Sequence, residues 1–426
     1  MPRLEKCLER LKNGGFDQVF SDTYGQQSLI YQKQRYESTF EHFTKSFGKE
    51  SVQLYSSPGR VELGGNHTDH NGGKVLAASI DLDTIAVVAK NNTNIIRIIS
   101  EGFNQEFTID LNVLDPIPEE ARTTEALVRG VAKGLKDKGY EIGGFHAVVN
   151  SNIDAREGLS SSASFETLIG TILNHLYNEG SIPVLSIAIV SQFAENNYYG
   201  KPCGLMDQIA CANGGIISID FADFHFPGID QIDYDFEDHG YTLVAVDTGD
   251  NNADLSYEYS AITKDMFSVA NTLGKRICRQ LEKHDILSAA AVLRKQFGER
   301  AVLRCLHFFN ENKRVTQQLE ALMSNNISEY FRLVNMSGDS SWKLLQNCYS
   351  TTRPTEQGIT LALAVTEDFL QTDGACRVHG GGFSGAIQAY IPLNRIDDYK
   401  ARMESIFGSG CVTPLRIRNR GTARLC

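Results

Sequence analysis

The sequence predicts an α+β protein of two domains, on three observations. The chain has 426 residues, more than one hydrophobic core usually organises. Strand-like and helical stretches both occur, without the regular alternation that a doubly wound parallel sheet requires. The texture also changes near residues 220–240, which predicts a division into 1–225 and 226–426. Apolar residues make up 42% and charged residues 22%, the balance of a globular protein rather than a disordered one.

In chain order, the first 50 residues read as helical and charged, ending near "FEHFTKSFGKE". "KVLAASI", "TIAVVAK" and "IIRIIS" follow as separate strands, rich in β-branched residues and bounded by polar turns. "TEALVRGVAKGLKDKG" has apolar residues at helical spacing and stops at Gly139, a C′ position. "GFHAVVNSNI" is a strand that runs into "GLSSSASFETLIGTILNHLYNEG", a Gly/Ser loop opening a long apolar helix. A second helix covers "IPVLSIAIVSQFAENNYYG"; the loop "KPCGLMDQIACANGG" and the strand "GIISIDF" come next. "YTLVAVDTG" is a further strand. Residues from Tyr257 to about Leu370 are mostly helical, and strand returns at "GACRVHGGGFSGAIQAYIP".

The net charge of −11 repels phosphate backbones and argues against a nucleic-acid partner. Any anionic ligand must therefore be captured locally, by backbone amides, a few basic side chains or a metal ion. Nine cysteines stand singly and include no CxxC pair, so neither a zinc site nor a disulfide framework is expected. The opening "MPRLEKCLERLKNGG" lacks a signal-type apolar core, and no run of about 18 apolar residues suggests a membrane span. A cytoplasmic protein, monomeric or weakly dimeric, is the expectation.

Three glycine-containing loops carry the chemistry. In "EGLSSSASFE", from Glu157 to Glu166, a glycine and small hydroxyl residues open a helix. Unpaired N–H groups there point outward, and the positive end of the helix dipole draws anions, phosphate above all. A plain serine N-cap is the simpler reading, but one serine would serve it. "HGGGFSG", His379 to Gly385, satisfies G-x-G-x-x-G in form. A strand-like "AIQAYIP" follows instead of a helix, so the dinucleotide reading fails on context. In "GRVELGGNHTDHNGG", His67, Asp69 and His70 could share a metal. A sugar fits better, because imidazoles, carboxylates and amides on a glycine-bent loop supply directed donors and acceptors for hydroxyls. The P-loop motif and the protein-kinase H-R-D and D-F-G signatures are absent.

Taken in order, these three loops resemble those of the GHMP small-molecule kinases, and among them the galactokinases. "AENNYYGKPCGLMDQ" is similar to the family's segment with the catalytic aspartate, and "SYEYS" to its sugar-stacking region. The resemblance runs from about residue 50 to 390. It implies a ribosomal-S5-like N-terminal domain beside a ferredoxin-like C-terminal domain, with the active site in the cleft between them. It implies ATP-dependent phosphorylation of a sugar, galactose at its anomeric hydroxyl, with ATP and Mg²⁺. Asp207 would be the catalytic carboxylate and Arg60 its cationic partner. Gly158, Leu159, Ser160, Ser161, Ser162 and Ala163 would hold the nucleotide, and Ser162 with Glu195 the metal. Glu62, Asn66, His67, Asp69, Gly204 and Tyr259 would face the sugar.

The chain departs from the family at Glu62, where asparagine is usual, at Gly64 (a large aliphatic), at Asn66 (glutamate) and at His70 (tyrosine). "DAREG" before the serine loop, His379 and Ser384 also differ. The glutamate contact to the sugar is thereby lost, and one swapped contact can redirect specificity. Two alternatives follow: a kinase of the same family for another monosaccharide, and a regulator that binds sugar and ATP without turnover.

Overall fold

The computed structural model describes residues 4–101, 105–154, 158–249 and 255–426. Among the described residues, twelve strands form two sheets: β1 (Val52–Gly64), β2 (Lys74–Lys90), β3 (Ile95–Ser100), β4 (Gln105–Asp110), β5 (Phe145–Ser151), β6 (Ile216–Asp220), β7 (Gly228–Ile232), β8 (Tyr241–Asp247), β9 (Ala375–Val378), β10 (Ala386–Pro392), β11 (Val412–Leu415) and β12 (Ala423–Arg424). The first sheet runs β12-β1-β2-β5-β3-β4, with β6 also on β2 and β7 on β6. The second runs β11-β8-β10-β9 and is antiparallel throughout. Its strands occur in space in the order fourth, first, third, second, the ferredoxin-like arrangement. The first sheet takes in β7 and the C-terminal β12, so it draws residues from both sides of position 225.

Period-two alternation explains how the first sheet is covered. Leu54, Ile85, Val87 and Ala89 face a cluster with Phe20, Tyr36, Phe40 and Phe43 from the N-terminal helices Asp17–Tyr24 and Leu29–Phe47. Tyr55, Ala86 and Val88 face the opposite cluster, filled by the helices Thr124–Asp137, Ser161–Tyr177 and Val184–Ala194. Farther along the same two strands, Val61, Leu63, Leu76 and Ala78 pack against Leu243 and Tyr390 of the second sheet and Val315 of the helix Glu299–Met323. β1 and β2 are therefore common walls of both halves.

Two expectations change. "KVLAASI" and "TIAVVAK" are one strand of 17 residues, not two. The intervening aspartates stay extended because both are held: Asp81 accepts from the Arg416 backbone N–H at 3.0 Å, and Asp83 binds Arg35 at 2.6 Å and Arg418 at 3.2 Å. "GRVELG" is likewise the end of β1 rather than loop. Register shifts fall between Pro58 and Arg60 and between Glu62 and Gly64, so the segment carrying Arg60 and Glu62 is bracketed by bulges that re-aim its side chains. The helix end expected at Gly139 forms: Gly139 and Tyr140 donate back to Lys136 and Leu135 in a Schellman pattern.

Candidate active site

The first wall of the site comes from β1 and the loop that opens the helix Ser161–Tyr177. The Arg60 backbone N–H donates to the Leu159 carbonyl at 3.1 Å, and Arg60 Nη1 donates to the Gly158 carbonyl at 2.6 Å. A side chain at Gly59 would place its Cβ 2.7 Å from the Leu159 oxygen, so only glycine lets the loop lie this close. Arg60 then turns its fork to Asp207, Nε to Oδ1 at 2.7 Å and Nη2 to Oδ2 at 2.6 Å. This is the bidentate geometry of a strong pair. Ser160 Oγ also donates to Asp207 Oδ2. The serine loop and Asp207, 47 residues apart, thus converge. Burial works to raise the Asp207 carboxyl, but Arg60, Ser160 and Lys201 outweigh it and hold it below the usual range.

Ser162 lies in the first turn of the same helix and donates to Glu195 Oε1 at 3.1 Å. Glu195 begins a π-helical turn, Glu195–Tyr199, that closes the helix Val184–Ala194; such turns recur at functional sites. Its Oε2 accepts from Gln208 Nε2 at 2.9 Å and Cys203 Sγ at 3.3 Å, and Oε1 also accepts from Lys201 Nζ at 3.1 Å. Gln208 Nε2 reaches Glu166 as well, at 3.2 Å; burial, with the Glu195 charge, pushes Glu166 well above the ordinary value. The residues just before this loop, Ala155–Glu157, lie outside the described residues.

The opposite wall gathers the turn after β1, the loop before the Asp207 helix and the third glycine motif. Asp69 lies so near Gly204 that a Cβ there would be 1.6 Å from Asp69 Oδ2. Burial, with the charges of Asp207 and Glu62, pushes Asp69 up to about 6. His67 Nε2 meets the Gly381 carbonyl at 2.9 Å, and burial holds its ring down at about 4. Tyr259 donates to the Gly382 carbonyl at 3.1 Å and meets the Phe383 ring edge-on, 5.5 Å between centroids. His67, Ser160 and Phe383, one on each glycine-containing loop, all have positive φ, 56°, 61° and 62°. Non-glycine residues there cost about 1–3 kcal/mol each and cluster at functional sites.

Glu62 and Asn66, expected to face the sugar, are turned inward. Asn66 is 0% exposed. Its Nδ2 donates to the Gly380 carbonyl at 2.7 Å and to Glu62 Oε1 at 3.1 Å, and its Oδ1 accepts from Asn347 at 2.9 Å. Glu62 pairs with buried Arg377 at 2.7 Å, and its backbone N–H donates to His379 Nε2 at 3.2 Å. A Cβ at Gly64 would strike Gln318 Oε1 at 2.1 Å, so Gln318 occupies the space that a larger residue would need. Burial pushes His70 down to about 3, and its Nδ1 is taken by Asn71. Among the described residues, no group of three or more His, Cys, Asp or Glu could hold a metal. Lys201, Gln208, Arg377 and Asn347 were not singled out from the sequence. Lys201 and Gln208 sit inside a segment that was; Arg377 and Asn347 carry no local signal.

Residues 41–90 match the galactokinase galactose-binding signature, and residues 126–215 match the GHMP kinases N terminal domain. The chain is 28% identical to the galactokinase of Clostridium tetani over 377 residues, covering 86% of this chain and 90% of that protein. It is 29% identical over 368 residues to the galactokinase of Lacticaseibacillus paracasei, covering 84% and 90%. The fold is similar to that of Lactococcus lactis galactokinase complexed with galactose, with a TM-score of 0.79 at 24% identity over 92% of this chain and 99% of that one. It is also similar to Methanococcus jannaschii mevalonate kinase, with a TM-score of 0.61 at 16% identity over 86% and 98%.

Proposed function

We infer that this chain belongs to the GHMP kinase family, within its galactokinase branch, and transfers the γ-phosphoryl group of ATP to the anomeric hydroxyl of galactose. One observation carries the reading: Arg60 ties the Gly158–Ser160 loop to Asp207, so an anion cradle and a charged carboxylate share one cleft. Amides from Gly158, Leu159, Ser160, Ser161, Ser162 and Ala163 hold the phosphates at the helix mouth. His67, Asp69 and Tyr259 meet the sugar; Gly204 gives Asp69 room, and Glu62 and Asn66 support the loop from behind. We place the divide between the halves after Ile232, because β7 pairs with β6 and β12 returns to β1.

The sugar oxygen attacks the γ-phosphorus, the bond to the β,γ-bridging oxygen breaks, and ADP leaves with its electron pair. Asp207 orients the hydroxyl and takes its proton. Protonating an ordinary aspartate at pH 7 costs about 4 kcal/mol, and Arg60 adds to that. A weak base suffices when the proton departs late, after the P–O bond has largely broken, as a loose transition state allows. Ser162 and Glu195 offer hydroxyl and carboxylate oxygens, a donor pair suited to Mg²⁺ arriving with the nucleotide. Bound there, Mg²⁺ would neutralise charge on the β- and γ-oxygens.

Among the described residues no helix is long and apolar enough to cross a membrane. We propose a cytoplasmic protein and take a monomer or weak homodimer as the working form. ADP release measured against a panel of monosaccharides tests the function. Galactose is expected to give the highest kcat/KM; another sugar far ahead of it would favour the second reading, a kinase for a different monosaccharide. The inward-turned Asn66 is the observation that keeps that reading in play. No ADP with any sugar would reject transfer altogether.

A further inference from the structure

Arg60 has little charge to spare for phosphate. Its Nε and Nη2 are spent on Asp207, its Nη1 on the Gly158 carbonyl, and it is 6% exposed. A protein of net charge −11 must nonetheless neutralise a transferring phosphoryl group whose charge spreads over three oxygens. Lys201 sits where it can help. It belongs to the short loop between the π-helical turn and the Asp207 helix, Met206–Asn213. Its backbone N–H is anchored to the Glu195 carbonyl at 3.1 Å, while its side chain is 61% exposed. The stem is therefore fixed at its root and exposed along its length, with only Glu195 holding its head.

The ammonium shares one oxygen with the helix mouth: Glu195 Oε1 accepts both Lys201 Nζ and Ser162 Oγ, each at 3.1 Å. The other carboxylate oxygen is already occupied by Gln208 and Cys203. A divalent cation held by Ser162 and Glu195 would lie beside Oε1, and its charge would repel the ammonium that rests on the same oxygen. Through Glu195 the ammonium stands one residue from Ser162 at the helix mouth, and it helps Arg60 hold the Asp207 carboxyl down. The nearest new anion would be the nucleotide's terminal phosphate. A lysine is a compact point charge on a flexible stem, suited to such an exchange.

We propose that Lys201 is a second cationic contact to the transferred phosphoryl group, resting on Glu195 until the nucleotide's metal claims that carboxylate. The proposal rests on the kinase reading. It is tested with Lys201→Met and Lys201→Arg, with thermal unfolding midpoints checked against the parent. Affinities for Mg²⁺–ADP and for the Mg²⁺ complex of β,γ-imido ATP are measured by calorimetry, alongside steady-state kinetics. Lys201→Met is expected to weaken the imido analogue roughly ten-fold, to leave ADP within about two-fold, and to lower kcat on the order of 10²-fold; Lys201→Arg should recover most of both. Unchanged analogue affinity with unchanged kcat would overturn the proposal, as would a mere drop in the Mg²⁺ needed for activity, which marks a placeholder. Failure of the kinase reading looks different: the parent protein itself would bind no analogue and release no ADP.

Discussion

The two walls of the cleft use polar groups in opposite ways. On the wall proposed for the nucleotide, Ser160, Arg60 and Asp207 bind one another across the loop mouth, yet Asp207 keeps a side-chain exposure of 27%. On the wall proposed for the sugar, Glu62 and Asn66 satisfy themselves on Arg377, Asn347 and the Gly380 carbonyl. The difference teaches where the binding energy can reside. Groups already paired with protein shape a pocket and cost much to unpair; groups facing the cleft supply the contacts that change during reaction.

The comparison can be broken most severely at Asp207. Asp207→Asn should cut kcat by about 10³- to 10⁴-fold, in the range of lost proton acceptance and orientation, and should also lower the unfolding midpoint, because it leaves the buried Arg60 charge without its partner. Near-normal turnover would remove Asp207 from both roles. Arg377→Met comes next and should act on stability. Leaving Glu62 buried and unpaired costs about 3–5 kcal/mol, read as a fall in urea midpoint, and Glu62→Gln with Arg377→Met should recover part of it. A single variant of unchanged stability but altered sugar preference would place this pair in direct contact with substrate.

Gly204→Ala is a smaller and more selective test. The added methyl would sit 1.6 Å from Asp69 Oδ2, so the sugar KM should rise about 10- to 100-fold while the MgATP KM stays put. A shift in the nucleotide KM instead would assign Asp69 to the other wall. The smallest effect is a pH limb. Burial raises Asp69 from 3.8 to about 6, so the fold favours its protonated form. That stability contribution is complete below pH 3.8 and fades as pH rises through about 6. If the ionised carboxylate grips the sugar, kcat/KM should fall up to about ten-fold per pH unit below about 6, and Asp69→Asn should erase that limb.

Much of the nucleotide wall was legible in the chain. A glycine and three serines opening an apolar helix predict an anion cradle from local geometry alone, and Asp207 and Glu195 lie in a segment whose motif points to them. The join was not legible from spacing: Arg60 and Asp207 are 147 residues apart, and only the resemblance paired them. On the wall proposed for the sugar, Asn66 was expected to face the substrate together with His67 and Asp69. Its partners lie 281 and 314 residues away, beyond any local pattern. The same distance effect hid the continuity of β2, where Asp81 and Asp83 read as turn residues until Arg416, Arg35 and Arg418 are brought to them.

Read as text, the chain supplies its helices, its alternating strands, its glycine turns and a positive helix mouth, because each depends on neighbours within a few residues. Which carboxylates and amides look into the cleft and which are consumed behind it is a property of the folded molecule. A buried polar group must find a partner wherever the fold provides one; for Glu62 and Asn66 those partners come from the far end of the chain, and for Asp83 from both ends.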